Sequence, residues 1–333
     1  MTTKDPRSHR ATRRRALAAA LGGLLALASG GAAAQASAWP TRPVRIIVGF
    51  PAGGGPDVMV RSLAPGLSEA LGQAVVIENK SGVTGMLAAD AVAKSTDGHT
   101  FLMTTGSSMS ISVHTLERLP LNPRTDLVPI AAFARVSLFL VGNAKLPFKT
   151  FSDLQAYARQ HPGRLTYGSP GNGSAPHVAM EMLKAQTGLT AVHIPYRGAA
   201  PALQDLLGGS VDVLFDPGIA FEHVRAGRLH LLAVASNERS PLFPDAPTLR
   251  ELGVKDFDGG TTHGLYGPAG TPPPVVARLN AEINRLLKTA PVAAGIQAQG
   301  AEPTPMAPAA FAAQIQRDSE RYGAVVKARG IKE

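Results

Sequence analysis

Val44-Arg45-Ile46-Ile47-Val48 is followed at once by Gly49-Phe50-Pro51-Ala52-Gly53-Gly54-Gly55-Pro56 and then by Asp57, which opens a helical pattern running towards Leu71. A short apolar run, a glycine break and a helix is the β-loop-α unit of an α/β chain. Pro65 predicts a kink or a split in that helix. The same grammar continues with a strand at 74–78, a loop at 79–82, a helix at 86–94 and a strand at 100–104. Repetition of this unit predicts a mostly parallel sheet with crossover helices.

Further along, the apolar stretch 130–141 reads as one strand leaving the first domain, and Thr150 with Asp153 signals a helix start. A second set of units follows, with strands at 165–167, 191–194 and 211–215 and helices at 177–186 and 199–207. A strand at 229–235 carries the chain back. Pro-rich turns, a strand near 264–266, a helix at 275–287 begun by Pro272-Pro273-Pro274, and a last helix at 309–327 complete the pattern. The economical reading is two similar lobes crossed twice: 39–140 with 237–333, and 141–236.

The chain has 333 residues, 44% hydrophobic and 17% charged, with no cysteine, enough for one large core or two ordinary ones. Collagen-like, disordered and disulfide-stapled classes are excluded. The net charge of +9 divides unevenly: residues 1–38 carry +5, which leaves +4 on the rest. A mildly basic body with interspersed charges offers no phosphate-tracking stripe, so a nucleic-acid partner is not expected.

Arg13-Arg14-Arg15 precedes an apolar run over 16–28, and small-residue sites follow at Ala34-Gln35-Ala36 and Ala36-Ser37-Ala38. This reads as an export signal over residues 1–38, cleaved near Ala36 or Ala38, because the run is shorter than the roughly 20 residues of a spanning helix. Thr12-Arg13-Arg14-Arg15-Ala16-Leu17 resembles a twin-arginine signal. The expected location is outside the cytoplasm.

Three glycines between strand and helix let backbone N–H groups approach a ligand, and the helix start adds partial positive charge, which suits a carboxylate or another small anion. A tight turn with Asp57 as N-cap is the plainer reading of the same residues. Gly168-Ser169-Pro170-Gly171-Asn172-Gly173-Ser174, ahead of a helix near His177, is a second such loop in the other lobe. Together they make facing rims outside the carboxyl ends of strands. Thr105-Gly106-Ser107-Ser108, Tyr196-Arg197-Gly198 and Asp216-Pro217-Gly218 occupy the same rims. Arg197 is a bidentate carboxylate partner or a solvated loop residue. Asp216 accepts a hydrogen bond from a ligand hydroxyl or ammonium, or caps the following helix. His177 with Glu181 suggests a metal pair or a surface hydrogen bond, and Ser174 with His177 an unsupported nucleophile and base. No catalysis, cofactor or metal is expected.

The chain resembles the periplasmic solute receptors of tripartite tricarboxylate transporters, the Bug family. The likeness rests on Arg42-Pro43-Val44-Arg45-Ile46-Ile47-Val48, the 51–57 loop with Arg61, Asn79-Lys80-Ser81-Gly82, Asp97-Gly98-His99-Thr100, His193-Ile194-Pro195-Tyr196-Arg197-Gly198, Pro244-Asp245-Ala246-Pro247-Thr248 and Gly267-Pro268-Ala269-Gly270-Thr271-Pro272. Thr262-His263 departs from the aromatic pair common there. The resemblance implies a two-lobed periplasmic-binding-protein fold (type II, Venus flytrap) that closes on a small carboxylate and delivers it, unaltered, to membrane transporter subunits. It implies Ala52, Gly53, Gly54 and Asp57 on one wall with Thr105 and Ser107 beside them, and Ser169, Gly171, Ser174, His177 and Tyr196 on the other. A monomer is expected. The alternatives are a receptor for a membrane kinase and an exported hydrolase.

Overall fold

The computed structural model describes residues 39–332, and the leader read at 1–38 lies outside the described residues. From Arg42 onward the chain forms one compact unit, built on two sheets.

In the first sheet β1 (Val44–Val48) lies between β2 (Val75–Asn79) and β3 (Thr100–Thr104) and runs parallel to both. Its crossovers are α1 (Gly55–Leu71) and α2 (Met86–Ala93), and the short α3 (Gly106–Ser110) follows β3. Beyond β3 come, in order, β10 (Thr261–Pro268), β4 (Leu127–Val136) and β11 (Ala301–Pro303), each antiparallel to its neighbour. The second sheet runs β7 (Val192–Pro195), β6 (Thr166–Ser169), β8 (Val213–Asp216), β5 (Phe139–Asn143), β9 (Leu229–Val234). Here β6 is parallel to β7 and β8, whereas β5 is antiparallel to β8 and β9. Around it lie α4 (Phe151–Gln160), α5 (Ala175–Thr187), α6 (Ala199–Gly208) and α7 (Phe221–Arg225). The closing elements are α8 (Pro273–Leu286), α9 (Ala290–Gln297) and α10 (Pro308–Arg329).

Each sheet is built on a set of strands that run the same way, β1 to β4 in the first and β6 to β9 in the second, with β10 and β11, and β5, running against it. Strands joined by a crossover helix stay parallel, because the helix returns the chain to the same end. The strands that arrive from the other sheet, β5 and β10, run in the opposite direction. The 130–141 run is not one strand: β4 ends at Val136, β5 starts at Phe139, and Ser137 with Leu138 makes the passage. Both strands are deeply buried, so the apolar run hides the break. Pro65 does not split α1, whose Leu63, Leu67 and Leu71 pack into the interior; that burial offsets the lost backbone bond.

Residues on both sides of 141–236 pack against the second sheet. Leu249, Val254 and Phe257 join its core with Phe148, Tyr167 and Phe215, Leu242 and Phe243 join the opposite face with Phe139 and Phe221, and Thr248 bridges Val234. At the return passage Ala235 N–H donates to Leu138 O (2.8 Å) and Gly259 N–H to Ala235 O (2.9 Å). Helix α10 spans both units, with Phe311 in the first core and Tyr322 and Val326 in the second. No helix among the described residues is long and apolar enough to cross a membrane.

Candidate functional site

The carboxyl ends of β1 and β3 carry the first rim. Gly53 adopts φ +78°, a conformation open to glycine at little cost, and this aims its N–H at Asp57 Oδ2 (2.9 Å). Arg61 Nε donates to both Asp57 oxygens (3.0 and 2.9 Å), and Asn79 Nδ2 donates to Oδ1 (2.9 Å) and to Phe50 O (3.0 Å). Asp57 is 2% exposed. Burial pushes its carboxyl up, but the bonds from Arg61, Gly53 and Asn79 outweigh it and hold the group below the usual range. The helix cap is Gly54, not Asp57: the Asp57 carboxylate reaches back and fixes the loop. Gly54 N–H in turn donates to Pro51 O (3.2 Å). The amides of Gly53 and Gly54 are thus spent inside the turn, and the donors left at this rim are those of the first turn of α1, Gly55 and Asp57, which have no acceptor within the helix.

Beside this loop Thr105 caps α3, accepting from Ser108 N (3.3 Å). Ser108 Oγ receives Thr104 Oγ1 (2.9 Å) and donates to Thr84 O (2.6 Å), tying together three segments. Ser107 is half-buried on the same turn. His263, which the sequence offered only as a departure from the family pattern, is buried and accepts from Gly106 N–H through Nδ1 (3.4 Å).

The second rim closes on itself as well. Gly171 O receives Ser169 Oγ (3.1 Å) and Ser174 Oγ (2.7 Å), and Gly173 N–H donates to His177 Nδ1 (3.1 Å). His177 stacks on His193 with centroids 3.9 Å apart, and His193 on Tyr167 at 4.7 Å. Ser169 Oγ lies 2.7 Å from His193 Nε2. Burial pushes both imidazoles down to about 4, aided at His193 by His177. Glu181 takes Tyr167 Oη (2.7 Å) and Lys184 Nζ (2.6 Å) rather than pairing with His177. Among the described residues no group of three side chains suits a metal. Tyr196 N–H donates to Ser169 O (2.9 Å), while its hydroxyl donates to Asp205 (2.6 Å). Arg197 is exposed and enters no ion pair among the described residues. Asp216 is buried at the end of β8 and accepts from Gly218 N–H (2.6 Å) and Ala220 N–H (3.0 Å).

The candidates therefore gather as two rims: Ala52, Gly53, Gly54, Asp57, Thr105 and Ser107 on one, and Ser169, Gly171, Ser174, His177, Tyr196, Arg197 and Asp216 on the other. What brings the rims together was missed in the sequence. A Cβ placed on Gly218 would lie 2.5 Å from Gly300 Cα and 2.9 Å from Gln299 O, and one placed on Gly55 would lie 3.8 Å from Gln299 Oε1. Gln299-Gly300, between α9 and β11, therefore touches both. A hollow of about 620 Å³ lined by Lys94, Thr100, Pro120 and Gly270 lies at the opposite end of β3, away from the helix starts.

The family model for the tripartite tricarboxylate transporter family receptor matches residues 59–331. The protein BugT of Bordetella pertussis is 37% identical over 95% of this chain and 98% of its own length. Among solved structures, the R. palustris protein Rpa4515 with adipate is 34% identical and covers 88% of this chain and 99% of its own, with a TM-score of 0.80. MatC from Rhodopseudomonas palustris, with bound malate, is 32% identical over 86% of this chain and all of its own, with a TM-score of 0.76. With two sheets and this likeness along nearly its whole length, the chain belongs to the tripartite tricarboxylate transporter receptor family, whose members are solute-binding receptors.

Proposed function

We propose that the protein is an exported receptor that takes a small carboxylate-bearing solute between its two rims, closes its lobes on it and hands it unaltered to transporter subunits in the membrane. The observation that carries this reading is the contact of Gly218, on the second rim, with Gly300, whose neighbour Gln299 also reaches Gly55 at the start of α1, while α5 starts on the same second rim. Each start supplies amide donors and partial positive charge, so one carboxylate at each end is held best when the rims are together. The adipate and malate of the related structures are solutes of this class.

Lobe division belongs to the same proposal: the passages lie at 137–138 and 258–260. So do cleavage of the leader near Ala36 or Ala38, release into the periplasm, and a monomeric state. Hydrolysis finds little support. Ser169, next to His193, is 1% exposed and bonded to Gly171 on both its amide and carbonyl sides, which makes it a brace of the loop.

A thermal-shift screen of a carboxylate library on the leader-free protein tests the reading. A solute at 100 times its dissociation constant adds about 2.7 kcal/mol of stability and raises Tm. Gly54→Val should remove the shift while keeping the fold, because φ at Gly54 is −73° and only Pro51 O, at 3.2 Å, crowds a new Cβ. A library without a stabilising carboxylate, or a full shift retained by the variant, contradicts it.

A further inference from the structure

Most buried polar side chains on the two rims have hydrogen-bond partners for their oxygens and nitrogens. Asp216 carries one buried oxygen without a partner. Its residue is 0% exposed, Oδ2 serves the amides of Gly218 and Ala220, and Oδ1 is buried with no hydrogen-bond partner among the described residues. Asp216 lines a cavity of about 10 Å³ with Gly168, Ser169, Pro170, Ala199 and Pro217, room for one water-sized group. Among the described residues no cationic side chain lines that cavity and no ion pair includes Asp216. Burial raises its carboxyl to about 6 against the amides of Ala220, Gly218 and Ile219, so above that pH Oδ1 is a buried anionic oxygen without a partner of its own. Such an oxygen favours any donor that reaches it and repels a second carboxylate.

We infer that Asp216 is a specificity-determining residue, accepting through Oδ1 a hydrogen bond from a donor that the solute carries on the carbon next to its carboxylate, an ammonium or a hydroxyl. This rests on the reading of the rims as a small-carboxylate site. Helix starts grip any carboxylate alike, so they leave the choice among carboxylates to a group of this kind. The ammonium is the stronger partner, since its bond to a carboxylate is charge-assisted.

Isothermal titration with succinate, L-malate and L-aspartate, which differ only in the substituent on one carbon, separates the possibilities at a pH above the Asp216 titration. The unaltered protein should bind aspartate at least about tenfold tighter than succinate, the size of one charge-assisted bond, with malate between them. Asp216→Asn keeps an oxygen for Gly218 and Ala220 but sets an NH₂ in place of Oδ1, and should bring the aspartate-to-succinate ratio to one or below. Asp216→Ser, which can still close the turn, should also flatten the ratio, and thermal unfolding of both variants reports their folding. Equal affinities in the unaltered protein, or a ratio unchanged in both variants, overturns the inference and assigns the cavity to an ordered water. Binding of other carboxylates with none of these three overturns it while the carboxylate reading stands. Failure of every carboxylate removes both.

Discussion

Asp57 receives bonds from Gly53, Arg61 and Asn79, and His177 and His263 each accept a glycine N–H through an unprotonated Nδ1. These bonds fix the backbone of the loops at the two rims. The histidines make that shape sensitive to acid. Burial lowers His177, His193 and His263 to about 4, against 6.5 unfolded. Between those values the unfolded chain binds more protons than the folded one, so stability present above about 6.5 is lost as the pH falls towards about 4. Asp216, raised to about 6, works in the opposite direction, as do Asp318 and Glu302, while His114 and His223 add to the histidines' side. Tm measured across this range should fall with acidification, and His177→Gln should flatten the slope. A Tm that is level or rising through that window contradicts neutral histidines at the rims.

At the scale of elements, the turn after β8 and the turn before β11 touch backbone to backbone. Gly218 has φ +121° and Gly300 φ +70°, and neither has space for a Cβ. Gly218→Ala should therefore push the turns apart and weaken solute binding by tenfold or more, on the order of the lost closed-state population, while the β8 core around Phe215 stays folded. Titration calorimetry with unfolding curves checks this; unaltered affinity would show that the contact plays no part in closure. Neighbouring passages are tied differently. Arg135 on β4 and Arg321 on α10 share Asp258 and Asp318. Burial pushes both carboxyls up; the two arginines overcome it at Asp258, whereas Asp318 stays raised.

Over the whole molecule, the β-loop-α units were legible because their signals are local: an apolar run, a glycine loop, and a cap such as Thr150 with Asp153, which forms as a capping box. The passages were not, because burial on both sides of Ser137 erases any change in hydrophobic pattern. The candidate residues were read onto the correct strand ends, since a loop between strand and helix has little choice of place. Which of their atoms are spent was not readable. The bonds of Gly53 to Asp57 and of Tyr196 to Asp205 depend on loop conformation, and the closeness of Gly300 to Gly218 joins positions far apart in sequence. A cage of saturated loops is preorganised, and rigid groups lose little entropy when a ligand arrives.

The most direct measurement is a crystal structure of the protein with a carboxylate identified by the thermal-shift screen. The solute should lie between the rims, with carboxylate oxygens within hydrogen-bond distance of the first-turn amides of α1 or α5 and with Gln299-Gly300 against Gly218. A solute seated elsewhere, such as the hollow beside Lys94 and Gly270, with both helix starts facing bulk water, would contradict this placement of the site.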